Sequence, residues 1–294
     1  STVTNAGAIT IGSTFGLAAG IFAINDNNTV INAAGASITA GDGASGIVLQ
    51  GNNGIVTNAG AIGAGDVGNG IFVIGNDAQV TNGGTITVTD DAAGISLLGE
   101  RAVVTNGGTI NAGVDSAGIA VNSLSATITN NGTISGGDGT RGIVVLGNSN
   151  SIVNRGTITV GAGFAVGIDV TSLGGSNTVV NTGAINVGAG ATGILVSGTG
   201  TVFNAGTINA ATGFAAIEFC GCGTGNVLTL GPGSLISGLV LGTGTDTFQL
   251  GGTGSATFNL GLIGTGQQYD GFSTFNKVDS SNWTVTGTGA QDWN

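Results

Sequence analysis

The sequence predicts an all-β protein: a right-handed parallel β-helix with three short strands per rung and about twelve rungs, closed by a C-terminal cap. Three observations predict it. An N-x-G-x-I motif recurs at Asn5, Asn58, Asn82, Asn106, Asn130, Asn154, Asn181 and Asn204, with a degenerate copy, INAAGASI, at 31–38. A glycine-isoleucine marker keeps pace at Gly20, Gly46, Gly70, Gly94, Gly118, Gly142, Gly167 and Gly193. A β-branched residue stands two before each asparagine, from Val3 and Val56 through Ile128 and Ile152 to Val202. Between Asn58 and Asn154 every step is 24 residues, followed by steps of 27 and 23.

Each period holds three apolar runs of strand length, broken by Gly, Asn, Asp or Ser and free of helical patterning. Alternation turns Ile143 and Val145 to one side in GIVVLG, and Ile158 and Val160 in GTITVG. A unit of this size cannot bury its apolar side alone, so copies must stack. At ~4.8 Å per rung, twelve rungs make a rod of roughly 55–60 Å. The asparagines belong at an inner corner, where stacked amides bond to one another and to the backbone. A left-handed β-helix favours a hexapeptide period, and the chain has none.

The strict marker stops near residue 218. We divide the chain into 1–218, regular repeats of about 24 residues, and 219–294, the C-terminal rungs and cap of the same rod. The last stretch holds Tyr269, Phe272, Phe275 and Trp283. An open rod end needs such an atypical terminal unit to cover core and strand edges.

Composition narrows function. The 294 residues include 61 Gly, one Pro, four Lys plus Arg, fifteen Asp plus Glu and no His, for a formal charge of -11. An acidic chain without a basic cluster repels phosphate backbones, which argues against nucleic acid. No run of eighteen apolar residues marks a transmembrane helix. Without histidine there is no Ser-His-Asp arrangement and no histidine metal ligand.

Single carboxylates such as Asp26, Asp42, Asp66, Asp115 and Asp138 are scattered in turns, and only Asp90-Asp91 are adjacent. Adjacent residues of an extended segment face opposite ways, so the paired carboxylates of glycoside hydrolysis are not in evidence. Arg141 and Arg155 could converge across one rung on a partner carboxylate, with surface pairing to Asp138 the simpler expectation. GDG at 41–43 and 137–139 falls short of the tandem calcium nonapeptide. We therefore expect no enzyme, no catalytic residue, no metal site and no cofactor. Cys220 and Cys222 form a CGC, read as a buried or disulfide-linked local feature rather than a redox centre.

A surface remains. If the isoleucines of the second marker point inward, the next residue points outward, in a column of Phe22, Val48, Phe72, Ser96, Ala120, Val144, Asp169 and Leu195. The neighbouring side carries Thr57, Thr81, Thr105, Thr129, Val153, Val180 and Phe203. Phe22, Val48, Phe72, Val144 and Leu195 make the first column more apolar than a solvated strand, and such patches mark contact with a partner or a second copy. The plain alternatives are loops that cover the column, or β propensity alone.

The V-T-N-x-G-x-I and G-I-x-V copies over 3–218 resemble the passenger region of Gram-negative type V autotransporters. The end of the chain sharpens the likeness: Phe272, Phe275, Lys277, Trp283, Val285 and Gly287 match the F-x-x-F-x-K…W-x-(L/V)-x-G motif of the segment that precedes the outer-membrane barrel. In that family the segment is an autochaperone. The resemblance implies export to the cell surface or beyond, a translocator barrel in the same precursor as a partner, and a non-enzymatic adhesin or virulence factor acting through its elongated surface. The expected partners are a host-cell surface protein or matrix, or another copy. The alternatives are a self-associating aggregation factor, a stalk for a functional region N-terminal to it, or a released effector that binds a host receptor.

Overall fold

The computed structural model describes residues 1–13, 18–289 and 291. It is a parallel β-solenoid of about twelve turns. Each turn visits three faces. Face 1 opens with Thr2–Asn5, Thr29–Asn32 and Ile55–Asn58; face 2 with Ala8–Ile11, Ser37–Ala40 and Ala61–Ala64; face 3 with Ala19–Ile24, Ser45–Gln50 and Ile71–Ile74. Strands pair in parallel with the same strand of the next turn, so equivalent residues align: Asn5 with Asn32, Asn32 with Asn58, Ile47 with Ile71 and Ile71 with Ile95.

The interior is a set of aliphatic columns. Face 2 contributes Ile38, Ile62, Ile86, Ile110, Ile134, Ile158, Ile185 and Ile208; face 3 contributes Ile47, Ile71, Ile95, Ile119, Ile143, Ile168, Ile194 and Ile217. All are buried in one continuous core. Fully burying such a side chain is worth about 1.5–3 kcal/mol, and none of it is available to an unstacked turn.

The repeated asparagines stand at the corner between faces 1 and 2, as the spacing predicts. From Asn32 to Asn181 each amide nitrogen donates to the Oδ1 of the next at 2.8 Å, and Asn5 donates to Asn32 at 2.9 Å. The ladder ends where Asn204 donates to Ser234 Oγ at 2.7 Å. Every member beyond Asn5 is fully buried, so the polar column is satisfied inside the core.

The marker glycines are dictated by space. A Cβ on Gly94 would lie 2.5 Å from Ile110 Cγ2 and 2.7 Å from the Gly118 carbonyl of the next turn. At the corner between faces 3 and 1 conformation adds to space: Gly51, Gly75 and Gly99 have φ of 139, 150 and 147°, and a Cβ there would overlap the carbonyl oxygens of Asn25, Gly51 and Gly75.

The scattered aspartates also find a role. Asp42, Asp66, Asp90 and Asp138 each accept a backbone N–H from the following turn at 3.2, 3.2, 2.8 and 2.7 Å. Hydrogen bonds from the Thr89 side chain and the Asp90 backbone hold the Asp66 carboxyl below the usual carboxylate range. These carboxylates bridge turns of the rod.

Beyond residue 218 faces 1 and 3 continue through Ala215–Cys220, Val227–Leu230, Leu239–Leu250 and Tyr269–Lys277. Face 2 does not. Its ten-stranded sheet ends at Leu235–Ser237, and Ser255–Asn259 pairs only with Asn282–Thr286 in a separate two-stranded sheet. Rings replace isoleucine in the core here: Phe248 lies 5.2 Å from both Phe258 and Tyr269, and Phe258 lies 5.5 Å from Tyr269.

Tyr269, the only tyrosine, has its hydroxyl pushed above the ordinary range by burial. Its folded pKa is raised, so its contribution to stability is complete below about pH 10 and is lost as pH rises toward the folded value. The expected result is a phenolate absorbance step displaced to alkaline pH and coincident with loosening of the cap by circular dichroism. A step at the free-tyrosine position with the cap intact would contradict it.

Candidate contact surface

Face 3 carries the outward column named from the sequence, and the structure sorts its members. Phe22 is 41% exposed, while Phe72, Val144 and Leu195 are half-buried. Val48 requires correction. It points out of the core yet is 1% exposed, because it pairs in register with Phe22 on one side and Phe72 on the other. Two rings flanking a smaller branched side chain leave it no accessible surface. Asp169 is likewise buried, its carboxylate bound to Arg141 Nε at 2.7 Å. Arg141 thus meets Asp169 of the next turn and not Asp138. Asp169 interrupts the column as a neutralised pair.

A second column, two residues along each strand, was missed. It places Ile24, Leu98 and Leu146 at 54, 40 and 44% exposure, with Ile74 half-buried. The signal was available, since residue i+2 of an outward residue shares its side of a strand. Together the columns form a stripe two residues wide, mostly apolar and interrupted by Gln50, Ser96, Asn122, Asp169 and Thr171. Its middle is a shallow depression lined by Ser96, Leu98, Ala120, Asn122, Val144 and Leu146. Beside it lies a polar hollow with Asp91, Asp115, Arg141 and Asp169. At the adjoining corner Arg101 clamps Asp77 through Nε and a terminal nitrogen at 2.7 and 2.8 Å and meets Glu100 at 3.0 Å. The Arg101 hydrogen bond holds the Asp77 carboxyl below its usual range.

The residues of the terminal motif gather in the cap. Phe272 meets Phe219 and Phe248 edge-on with ring centres 6.4 and 5.8 Å apart, and Phe275 lies 6.4 Å from Phe248. Trp283 Nε1 donates to Ser281 Oγ at 3.1 Å and to the Gly251 carbonyl at 3.3 Å. Lys277 is exposed and donates to the carbonyls of Val278 and Asp279 at 2.6 and 3.1 Å. Val285 is 46% exposed. Gly287 adopts φ 76° with Asn259 pressed against it. Phe272, Phe275 and Trp283 pack in or against the core, while Lys277 and Val285 stay at the surface.

Cys220 and Cys222 are disulfide-linked across Gly221. Among the described residues, no three of His, Cys, Asp or Glu gather within reach of one metal ion.

Comparison with family models, with curated proteins and with solved structures gives no match.

Proposed function

We propose that this chain is the passenger rod of an autotransporter-type exported protein, acting as a non-enzymatic adhesin through face 3. The observation that carries the reading is the apolar stripe. Phe22, Ile24, Leu98 and Leu146 keep 40% or more of their surface in water, on the same side of one face. Apolar side chains clustered in register on one exposed face mark a surface that a partner covers. The solenoid fold is typical of such passengers. The terminal residues Phe272, Phe275, Lys277, Trp283, Val285 and Gly287 support an autochaperone role for the cap, and with it export through a translocator barrel to the cell surface or medium.

The partner in this reading is a host-cell surface protein or matrix. Self-association is favoured second by one specific feature: the stripe repeats at the rung spacing, so a second rod laid alongside presents matching ridges. Leu98→Asp combined with Leu146→Asp, two exposed members of the stripe, tests both. Each side chain faces out of the core, so the rod keeps its circular dichroism and melting temperature. Adhesion to cells, or side-by-side dimerisation in sedimentation over a concentration series, is expected to fall at least about tenfold, the loss of ~1.4 kcal/mol or more. Unchanged adhesion and unchanged sedimentation in a folded variant would remove face 3 from the function.

A further inference from the structure

The break in face 2 opens a cleft. On one wall is Leu235–Ser237, the last strand of the ten-stranded sheet; on the other is Ser255–Asn259. These strands belong to successive turns, since the face 1 strands leading into them, Val227–Leu230 and the end of Leu239–Leu250, are directly paired. On face 2 the two part, and Leu235, Ile236, Thr257, Phe258, Tyr269 and Trp283 line the space between them. Phe258 and Tyr269 pack on Phe248 here, with rings where earlier turns have aliphatic side chains.

Neither wall has a strand partner across the cleft. The Leu235 N–H donates to the Gly206 carbonyl, and the Ser237 carbonyl accepts from Ala210 N–H. By the alternation of a parallel ladder, the N–H and C=O of Ile236 then point into the cleft. The Ile236 carbonyl is met there by a side chain: Gln268 Nε2 donates to it at 2.8 Å and to the Gly238 carbonyl at 3.2 Å. Opposite, among the described residues, Ser255–Asn259 pairs with Asn282–Thr286, whose Trp283 and Thr286 also line the cleft. Leu235 is 65% exposed at the mouth. No lining residue carries a charge at neutral pH.

We propose that this cleft binds an extended, uncharged peptide strand, which adds in parallel to Leu235–Ser237 and turns an aliphatic side chain onto Ile236 and Phe258. The site continues an interface the molecule already makes nine times along face 2, strand on strand with isoleucine inward. The missing tenth contact defines the ligand. The peptide accepts from the Ile236 N–H and displaces Gln268 from the Ile236 carbonyl, and the apolar floor selects an alternating aliphatic segment. A charged segment would be desolvated against rings with no counter-charge. This inference is independent of the face 3 reading, and the two sites lie on different faces.

The test uses the full chain and a blocked peptide of sequence GTITVG, the face 2 strand at 156–161. Isothermal titration is expected to give saturable one-to-one binding, with backbone amide shifts by NMR confined to Ile236, Thr257 and their neighbours. Alternate N-methylation of the peptide removes its donors and is expected to weaken binding at least about tenfold. Leu235→Asp, on an exposed position, is expected to do the same with the melting temperature unchanged. Should that variant misfold, Thr257→Lys on the exposed opposite wall serves in its place. Absence of binding, equal binding of the N-methylated peptide, or shifts located elsewhere would overturn the proposal.

Discussion

Asn106→Leu is expected to lower the stability of the rod by about 2–4 kcal/mol, although leucine is nearly the same size and far more apolar. Asn106 accepts from Asn82 and donates to Asn130, both at 2.8 Å and both fully buried. Removing it orphans the Asn130 Oδ1 acceptor in the core. The Asn82 amide keeps only longer contacts, to the Gly84 and Thr109 carbonyls at 3.3 and 3.4 Å. An unsatisfied buried acceptor carries a desolvation cost that added apolar contact does not offset when the site is already full. Denaturant titration followed by circular dichroism measures the effect. Thr105→Ala, on the outward side of the same strand, is the control and is expected to stay within about 0.5 kcal/mol. Equal midpoints for the two variants would mean the ladder contributes only register.

Gly94→Val is expected to cost about 3 kcal/mol or more, the larger of the two effects. Its Cβ alone meets Ile110 Cγ2 at 2.5 Å and the Gly118 carbonyl at 2.7 Å. The carbonyl belongs to the next turn and cannot give way without breaking the parallel ladder, so strain spreads along the rod. Gly63→Thr supplies the contrast. Nothing lies closer to its Cβ position than the Ile38 carbonyl at 4.0 Å, and threonine suits an outward strand position. That variant is expected to be neutral or slightly stabilised. A Gly94 variant as stable as Gly63→Thr would show that the turns can separate locally at little cost.

Much of this molecule is legible in its sequence. The asparagine step of 24 residues placed the inner corner, and alternation around the marker isoleucines assigned the core columns without error at Ile95, Ile119 or Ile143. The outward side of face 3 was read in half. Phe22, Phe72, Val144 and Leu195 were found because they adjoin the marker isoleucine, whereas Ile24, Leu98 and Leu146 lie two residues further on and were passed over. The aspartates were seen as isolated turn residues, and their bonds to the next turn appear only when rungs are stacked.

What the sequence determined by itself is the period, the strand-turn-strand grammar and the identity of the inward residues. Stacking enforces these one turn at a time, so each is written into every repeat. What only the tertiary structure decided depends on neighbours 24 or more residues away: that Val48 is sealed between Phe22 and Phe72, that Arg141 selects Asp169, and that face 2 splits at the aromatic cap. A repeat records the contacts that recur in every turn. These three occur once, where side-chain size or charge differs between adjacent turns, and packing across the rungs settles them.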